Sequence, residues 1–296
     1  MKSSKTKSSP RRVAFRAARS RGVKVAEASE QDSLKSFILY RCEPPLAWIT
    51  LNRPAKKNAL AGSMRQDLLA RIQQAGSDAG VRCLIVTGAG DAFCSGGDVS
   101  VMAELKMKEA SFQEIARWLD AGGKIVEALA SLAKPTLACV NGVAAGAGCN
   151  LALACDFRIA AHSASLGETF ARVGLHPDWG GTYFLPRLVG GSKALEMFAT
   201  GEMIPAEEAL RIGLVNRVVP DRELEEQTRA FARRLCSAPP LSFLAAREAV
   251  RRSLSASLSA MLIYERHAQQ RCWESEDSAE GIRAFLEKRH PEFTGR

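Results

Sequence analysis

The sequence predicts an α/β domain followed by an all-helical C-terminal region. Two patterns carry that expectation. From about residue 37 to residue 237, short β-rich apolar runs alternate with helical stretches as strand–strand–helix units, without a clear internal repeat. Beyond Pro239-Pro240 only helical patterns remain.

In chain order, Phe37–Arg41 and Leu46–Leu51 predict two strands around Pro44-Pro45. Ser63 is placed to cap a helix whose Leu68, Leu69 and Ile72 share a face. Arg82–Thr87 predicts a buried strand that enters a glycine-rich loop from Gly88 to Asp98. Two helices follow, the second from about Ser111 to Leu132. Thr136–Val140 is a short buried strand, Asn141-Gly142 turns the chain, and Gly146 and Gly148 open an apolar helix through Ala154. Asp156–Ala160 and Ala164–Leu166 predict short strands. Leu195–Thr200, Ala206–Arg211 and Asp221–Ser237 predict helices, with Leu214–Val219 a strand between the last two. Three helices close the chain, at Leu241–Leu254, Leu258–Trp273 and Ala279–Lys288.

The net charge of +9 resides entirely in the first 26 residues, which hold nine Lys/Arg and no acid; the other 32 basic residues are balanced by 32 acidic ones. A basic nucleic-acid groove on the folded part is thereby not implied. Residues 1–32 are expected to be a disordered extension, with a mitochondrial transit peptide in residues 1–26 or a nucleic-acid or membrane-surface tail as alternatives. The eight cysteines are scattered, mostly in apolar runs and without a CxxC spacing, which predicts reduced core thiols and a cytoplasmic protein. Residues 135–155 carry no charge, but two asparagines and three glycines punctuate them, so a strand plus a helix is expected rather than a membrane span.

Familiar sites fail on spacing. Gly88-Ala89-Gly90 lacks the third glycine of a dinucleotide loop, and no Walker lysine is present. Ser95-Gly96-Gly97 lacks the GxSxG frame. The four histidines have no metal-ligand spacing, so no metal is expected, and His176 is expected at the surface or behind the site. What remains is the strand-to-helix turn at Gly146 to Gly148, followed by one acid, Asp178, and Gly180-Gly181. A helix N-terminus at the mouth of a strand offers free N–H groups and the positive end of a dipole, suited to an oxyanion. A Gly/Ala-rich packing seam is the alternative.

Four separated motifs, AFCSGGD, VNGVAAGAG, LALACDFRIA and GLHPDWGGTYFLPRLVG, resemble the crotonase (enoyl-CoA hydratase/isomerase) superfamily in order and spacing, from about Leu34 to the C-terminus. GLHPDWGG and AFLEKRHPEFTGR most resemble its 2-(1,2-epoxy-1,2-dihydrophenyl)acetyl-CoA isomerase branch. The resemblance implies a spiral of ββα units over residues 33–237. It also implies a C-terminal helical region, 238–296, that assembles a homotrimer or homohexamer. The implied substrate is a coenzyme A thioester, with no bound cofactor; the charge balance and the punctuation of residues 135–155 already argue against nucleic acid and membrane as partners of the folded part.

By the same resemblance, the backbone N–H groups of Gly97 and Ala147 form the oxyanion hole. Enoyl-CoA hydratases carry two catalytic glutamates at places that are Asn150 and Phe170 here, so ordinary hydration is put in doubt. Phe170 is assigned to the acyl pocket, and Asn150 to a substrate hydrogen bond or to filling space. Glu168 lies two residues off the register of the lost acid and is expected to face elsewhere. Asp178 matches the aspartate with which isomerases of the family move a proton; a helix N-cap is its alternative role. Asp98 and Asp156 are expected to be structural. Lys56, Lys57 and Lys288 are assigned to coenzyme A, with solvated charges as the alternative. The expected function is an acyl-CoA isomerase acting through an enolate; a hydratase with relocated acids, a non-catalytic acyl-CoA-binding protein and nucleic-acid binding through residues 1–26 are the other readings.

Overall fold

The computed structural model describes residues 36–296; the basic extension assigned to residues 1–32 lies outside the described residues. An antiparallel hairpin comes first, β1 (Ile38–Glu43) and β2 (Leu46–Leu51), turning at Pro44-Pro45. The helix α1 (Met64–Ser77) buries Leu68 and Ile72. Ser63 stands at its N-cap, but the hydroxyl bonds the Asp67 carboxylate at 2.7 Å rather than a backbone N–H.

Then come β3 (Cys83–Gly88), β4 (Ala92–Cys94), α2 (Val99–Met107) and α3 (Phe112–Ser131). The last begins with a full capping box between Ser111 and Glu114. The pairs β5 (Thr136–Val140) with β6 (Val143–Ala145) and β7 (Phe157–Ala161) with β8 (Ser165–Gly167) flank α4 (Ala147–Ala154). A 3-10 turn, Thr169–Val173, leads to α5 (Gly181–Val189) and α6 (Gly191–Thr200). β9 (Met203–Pro205), α7 (Ala206–Arg211), β10 (Arg217–Val219) and α8 (Leu224–Cys236) complete the α/β part. Three helices, α9 (Pro240–Ser253), α10 (Leu258–Trp273) and α11 (Glu276–Glu287), end the chain.

The strands form two sheets, ordered β1-β2-β3-β5-β7-β10 and β4-β6-β8-β9. Each of β3, β5 and β7 enters the larger sheet, and its successor β4, β6 or β8 enters the smaller one before the chain returns through helix. That is the ββα spiral. Within each sheet these strands run parallel, so β5 (TLACV) is buried at every position and its sequence is continuously apolar rather than alternating. Asn141 holds the two sheets' turns together, its amide donating to the Gly88 and Gly90 carbonyls at 2.9 Å each.

The strands β4, β6 and β9 and the helix α5 are not expected from the sequence. Three-residue strands are too short to show alternation, and Pro186 inside α5 reads as a breaker. Both acids expected to be structural are so placed. Asp98 pairs with Arg53 at 2.6 Å and caps α2 through the Ser100 N–H. Asp156 accepts from the Thr136 backbone and hydroxyl, both at 3.0 Å, and pairs with Arg247 and Arg251 of α9. One carboxylate thus fixes the start of β5 and docks the first C-terminal helix. Among the described residues no helix is long and apolar enough to cross a membrane.

Candidate active site

The site forms where the loop after β4 meets the N-terminus of α4. Gly146 has φ +52° and ψ −124°, a conformation closed to side chains with a Cβ, and it releases the chain directly into α4. Ala147 is therefore the first helical residue, and its N–H lacks a helical acceptor. Across from it, Gly96 is at φ +95°, and a Cβ there would meet the Ala145 carbonyl at 2.8 Å and the Ala147 nitrogen at 3.5 Å. Gly97 follows in a parallel bridge to Leu60 whose two bonds run from Leu60 N–H to the Gly96 carbonyl and from Asp98 N–H to the Leu60 carbonyl. Neither uses the Gly97 N–H. The structure thus brings the two expected donor segments together at the positive end of α4.

Asp178 does not cap α5; Gly180 occupies that position, and no side-chain cap bond is made. The intervening Trp179 is buried with φ +49°, an outlier for a bulky residue. Its indole packs onto Gly122 of α3, where any side chain would collide with it. This packing holds the strained turn that carries Asp178. Burial pushes the Asp178 carboxyl up to about 6, against the pull of Arg65 and His176. Asp178 Oδ1 is buried and has no hydrogen-bond partner.

Glu168 departs from expectation. It does not face away: it is fully buried, and the Asn150 amide donates to its Oε2 at 3.3 Å and to the Asp178 carbonyl at 2.8 Å. It sits at the exit of β8, before the 3-10 turn, so the direction of a strand rather than of a helix governs it. Phe170 borders the Gly146 turn, its ring carbons 3.6 and 3.7 Å from where a Cβ on Gly146 would stand.

Sequence reasoning missed two further residues. Arg65, in the first turn of α1, is buried with its guanidinium carbon 4.1 Å from the Trp118 ring centroid and 6.0 Å from that of Trp179. Trp118 of α3 in turn approaches Gly97: two of its ring carbons lie 3.5 and 3.6 Å from the position of a Cβ there. A first-turn arginine reads as a solvated charge, and no local pattern marks it otherwise. Among the described residues nine buried side-chain N or O atoms lack a partner, and six belong to Arg65, Trp118, Asn150, Glu168 and Asp178. Bare polar atoms of this kind are rare in folded interiors, and their concentration at one place makes it the candidate site.

Lys56 and Lys57 are exposed at the rim, and their carbonyls accept from Ser95, two residues before Gly97. Lys288 is not brought to this site by contacts within the chain; it is exposed at the C-terminus of α11. Among the described residues no cluster of three or more His, Cys, Asp or Glu could hold a metal ion.

Burial pushes the Glu168 carboxyl up to about 8, with the Asn150 bond opposing and the Asp178 charge assisting. Between 4.5 and about 8 the native state therefore keeps a proton that the unfolded chain has released. The stability this contributes is complete below 4.5 and is lost as pH rises through about 8. Glu168→Gln cannot ionise. At pH 8 it is expected to exceed the wild type in stability by roughly 2–4 kcal/mol, with the gap shrinking to about 1 kcal/mol or less at pH 5. Denaturant melts at the two pH values check this; a gap independent of pH shows that Glu168 ionises as freely folded as unfolded.

A family model described as enoyl-CoA hydratase/isomerase matches residues 42–296. A Rhodobacter capsulatus protein named "Probable enoyl-CoA hydratase" is 44% identical over 261 residues, covering 88% of this chain and 98% of that one. The 1,2-epoxyphenylacetyl-CoA isomerase of Escherichia coli is 36% identical over 271 residues, covering 89% of this chain and 100% of that one. The crystal structure of enoyl-CoA hydratase from Bacillus anthracis superposes with a TM-score of 0.82 at 35% identity, over 88% of this chain and 100% of that one. With its ββα spiral and the Gly96-Gly97 loop packed against the head of α4, the chain belongs to the enoyl-CoA hydratase/isomerase family, the crotonase superfamily, whose members act on coenzyme A thioesters without a cofactor.

Proposed function

We propose that the protein is an acyl-CoA isomerase that works through a thioester enolate, with Asp178 carrying the proton. The thioester carbonyl oxygen sits between the N–H groups of Gly97 and Ala147. Asp178 takes a proton from the carbon skeleton, and the C–H electron pair passes into the thioester, leaving an enolate whose charge the two donors hold. The proton then returns from Asp178 to a different carbon, so a C=C bond has moved; in a ring epoxide the C–C bond shared by the two rings also breaks, its electron pair becoming part of the ring's π bonds. No water is consumed. Ring-epoxide acyl-CoAs of aromatic origin and unsaturated acyl-CoAs both suit this scheme.

The observation that carries the reading is the Asp178 carboxyl, with one bare buried oxygen and a pKa pushed up to about 6. A base of that strength is half ionised at about pH 6 and mostly ionised at neutrality, and it still returns its proton readily. Asn150 and Phe170, at the two hydratase glutamate places, supply no acid. Lys56 and Lys57 are proposed to meet the adenine and phosphates of coenzyme A. Lys288 is proposed to reach the nucleotide phosphate of a neighbouring subunit in a trimer or a dimer of trimers. The apolar Val250, Leu254, Leu258 and Leu262 stand exposed on the C-terminal helices and suit such packing. Eight free thiols suit a reducing, cytoplasmic setting.

A second reading, hydration with relocated acids, draws on Glu168, which adds a second carboxyl beside Asn150. The two readings part in one assay. The wild type is expected to interconvert 3-enoyl-CoA and 2-enoyl-CoA. It should hydrate crotonyl-CoA at well under the roughly 10–1000 per second of good enzymes. Crotonyl-CoA hydration within that range, with product identified by chromatography, replaces the isomerase reading with the hydratase one.

A further inference from the structure

The geometry points to an acceptor-oxygen subsite: Arg65 and Trp118 hold an oxygen carried by the acyl group beyond its α-carbon. The inference rests on the acyl-CoA reading above and narrows the substrate class.

Arg65 is 5% exposed, and its Nε and Nη2 are buried without an acceptor. Trp118 Nε1 is also buried and bare. Among the described residues, Arg65 makes no ion pair, although the Asp178 carboxylate is near enough to raise its affinity for its proton against the effect of burial. A guanidinium stays charged in such a setting, and a buried charge without partners is costly to keep. Stacking on the Trp118 ring satisfies its face but not its N–H edge.

The place of this edge decides what it binds. Trp118 reaches the oxyanion loop at Gly97, and on the other side Arg65 reaches Trp179, the neighbour of Asp178. The wall Trp118–Arg65–Trp179 therefore runs from the seat of the thioester carbonyl toward the proton carrier. An acyl chain spanning those two points lies along it. Arg65 and Trp118 can only donate, so their complement is an acceptor: a carboxylate, hydroxyl, carbonyl or ether oxygen. A purely hydrocarbon chain would leave all three N–H groups bare, which is the costly outcome.

Calorimetric binding to the full chain tests this with two series, butyryl-, 4-hydroxybutyryl- and succinyl-CoA, and hexanoyl-, 6-hydroxyhexanoyl- and adipyl-CoA. These saturated thioesters are not isomerised. At one length or the other, an oxygenated member is expected to bind about tenfold or more tightly than its plain counterpart. The hydroxyl and carboxylate arms tell a neutral acceptor from an anionic one. Arg65→Met should remove that preference while leaving the plain thioester within about twofold. Trp118→Phe, which deletes a single N–H, should reduce the preference without abolishing it, and it serves if Arg65→Met does not fold. Equal binding of plain and oxygenated thioesters by the wild type at both lengths overturns the subsite, as does a preference that survives Arg65→Met. Failure to bind any of the six overturns the acyl-CoA reading itself.

Discussion

Asp178→Asn is expected to lower turnover by roughly 10²–10⁴-fold, the range for loss of a positioned general base, while acyl-CoA binding is largely kept. The substitution preserves size and removes only the ability to hold and release a proton. Stability should not fall, because Asp178 caps nothing: the cap position of α5 belongs to Gly180. The raised pKa points the same way, since an acid that ionises reluctantly in the fold loses a penalty when it becomes an amide. In the wild type, kcat/KM should decline as pH drops through about 6, where Asp178 gains a proton and ceases to be a base. That limb should vanish from the residual activity of the variant. Exchange of substrate protons with D₂O gives an independent reading. Wild-type exchange rates in Asp178→Asn would assign the base to another residue, with Glu168 the first to test.

Much of the fold was legible because its core strands are continuous apolar runs. β2, β3 and β5 lie within a residue of where composition and punctuation place them, and α10 begins and ends at Leu258 and Trp273 as the periodicity requires. Of the smaller sheet only β8 was legible, expected at Ala164–Leu166 and found at Ser165–Gly167. Its members are three residues long, and they exist because consecutive turns of the spiral lay them side by side, which is a property of distant segments. The same division holds at the site. Gly97 and Ala147 lie in motifs whose glycines announce a special backbone. Glu168 was misplaced because a helical direction was assumed for a residue that leaves a strand. Arg65 was invisible because its burial depends on Trp118, on a helix that follows much later in the chain and packs against α1 only in the fold.

The proposed oxyanion hole at Gly97 and Ala147 allows a test that leaves the acidic side chains untouched. Ala147→Pro is expected to lower turnover by roughly 10²–10³-fold, the measured scale for removing one donor from such a site. Proline deletes the Ala147 N–H, and at the first position of α4 that deletion spares the helix. As the first helical residue its N–H has no intrahelical acceptor, and the fixed φ of proline matches the first turn. The preceding residue, which proline restricts, is Gly146 at ψ −124°, outside the α region that proline disfavours. Stability should therefore change little relative to the loss of rate. Ala147→Ser is the control for bulk on Cβ: it adds an atom where proline carries its Cγ but keeps the N–H, and it should retain most activity if that bulk is not the cause. Turnover, acyl-CoA binding and melting temperature measured on the three proteins separate the cases. Near-normal turnover in a folded Ala147→Pro would remove this N–H from the reaction and leave Gly97 and the α4 dipole to hold the enolate. A matching loss in Ala147→Ser would instead identify steric exclusion of the thioester.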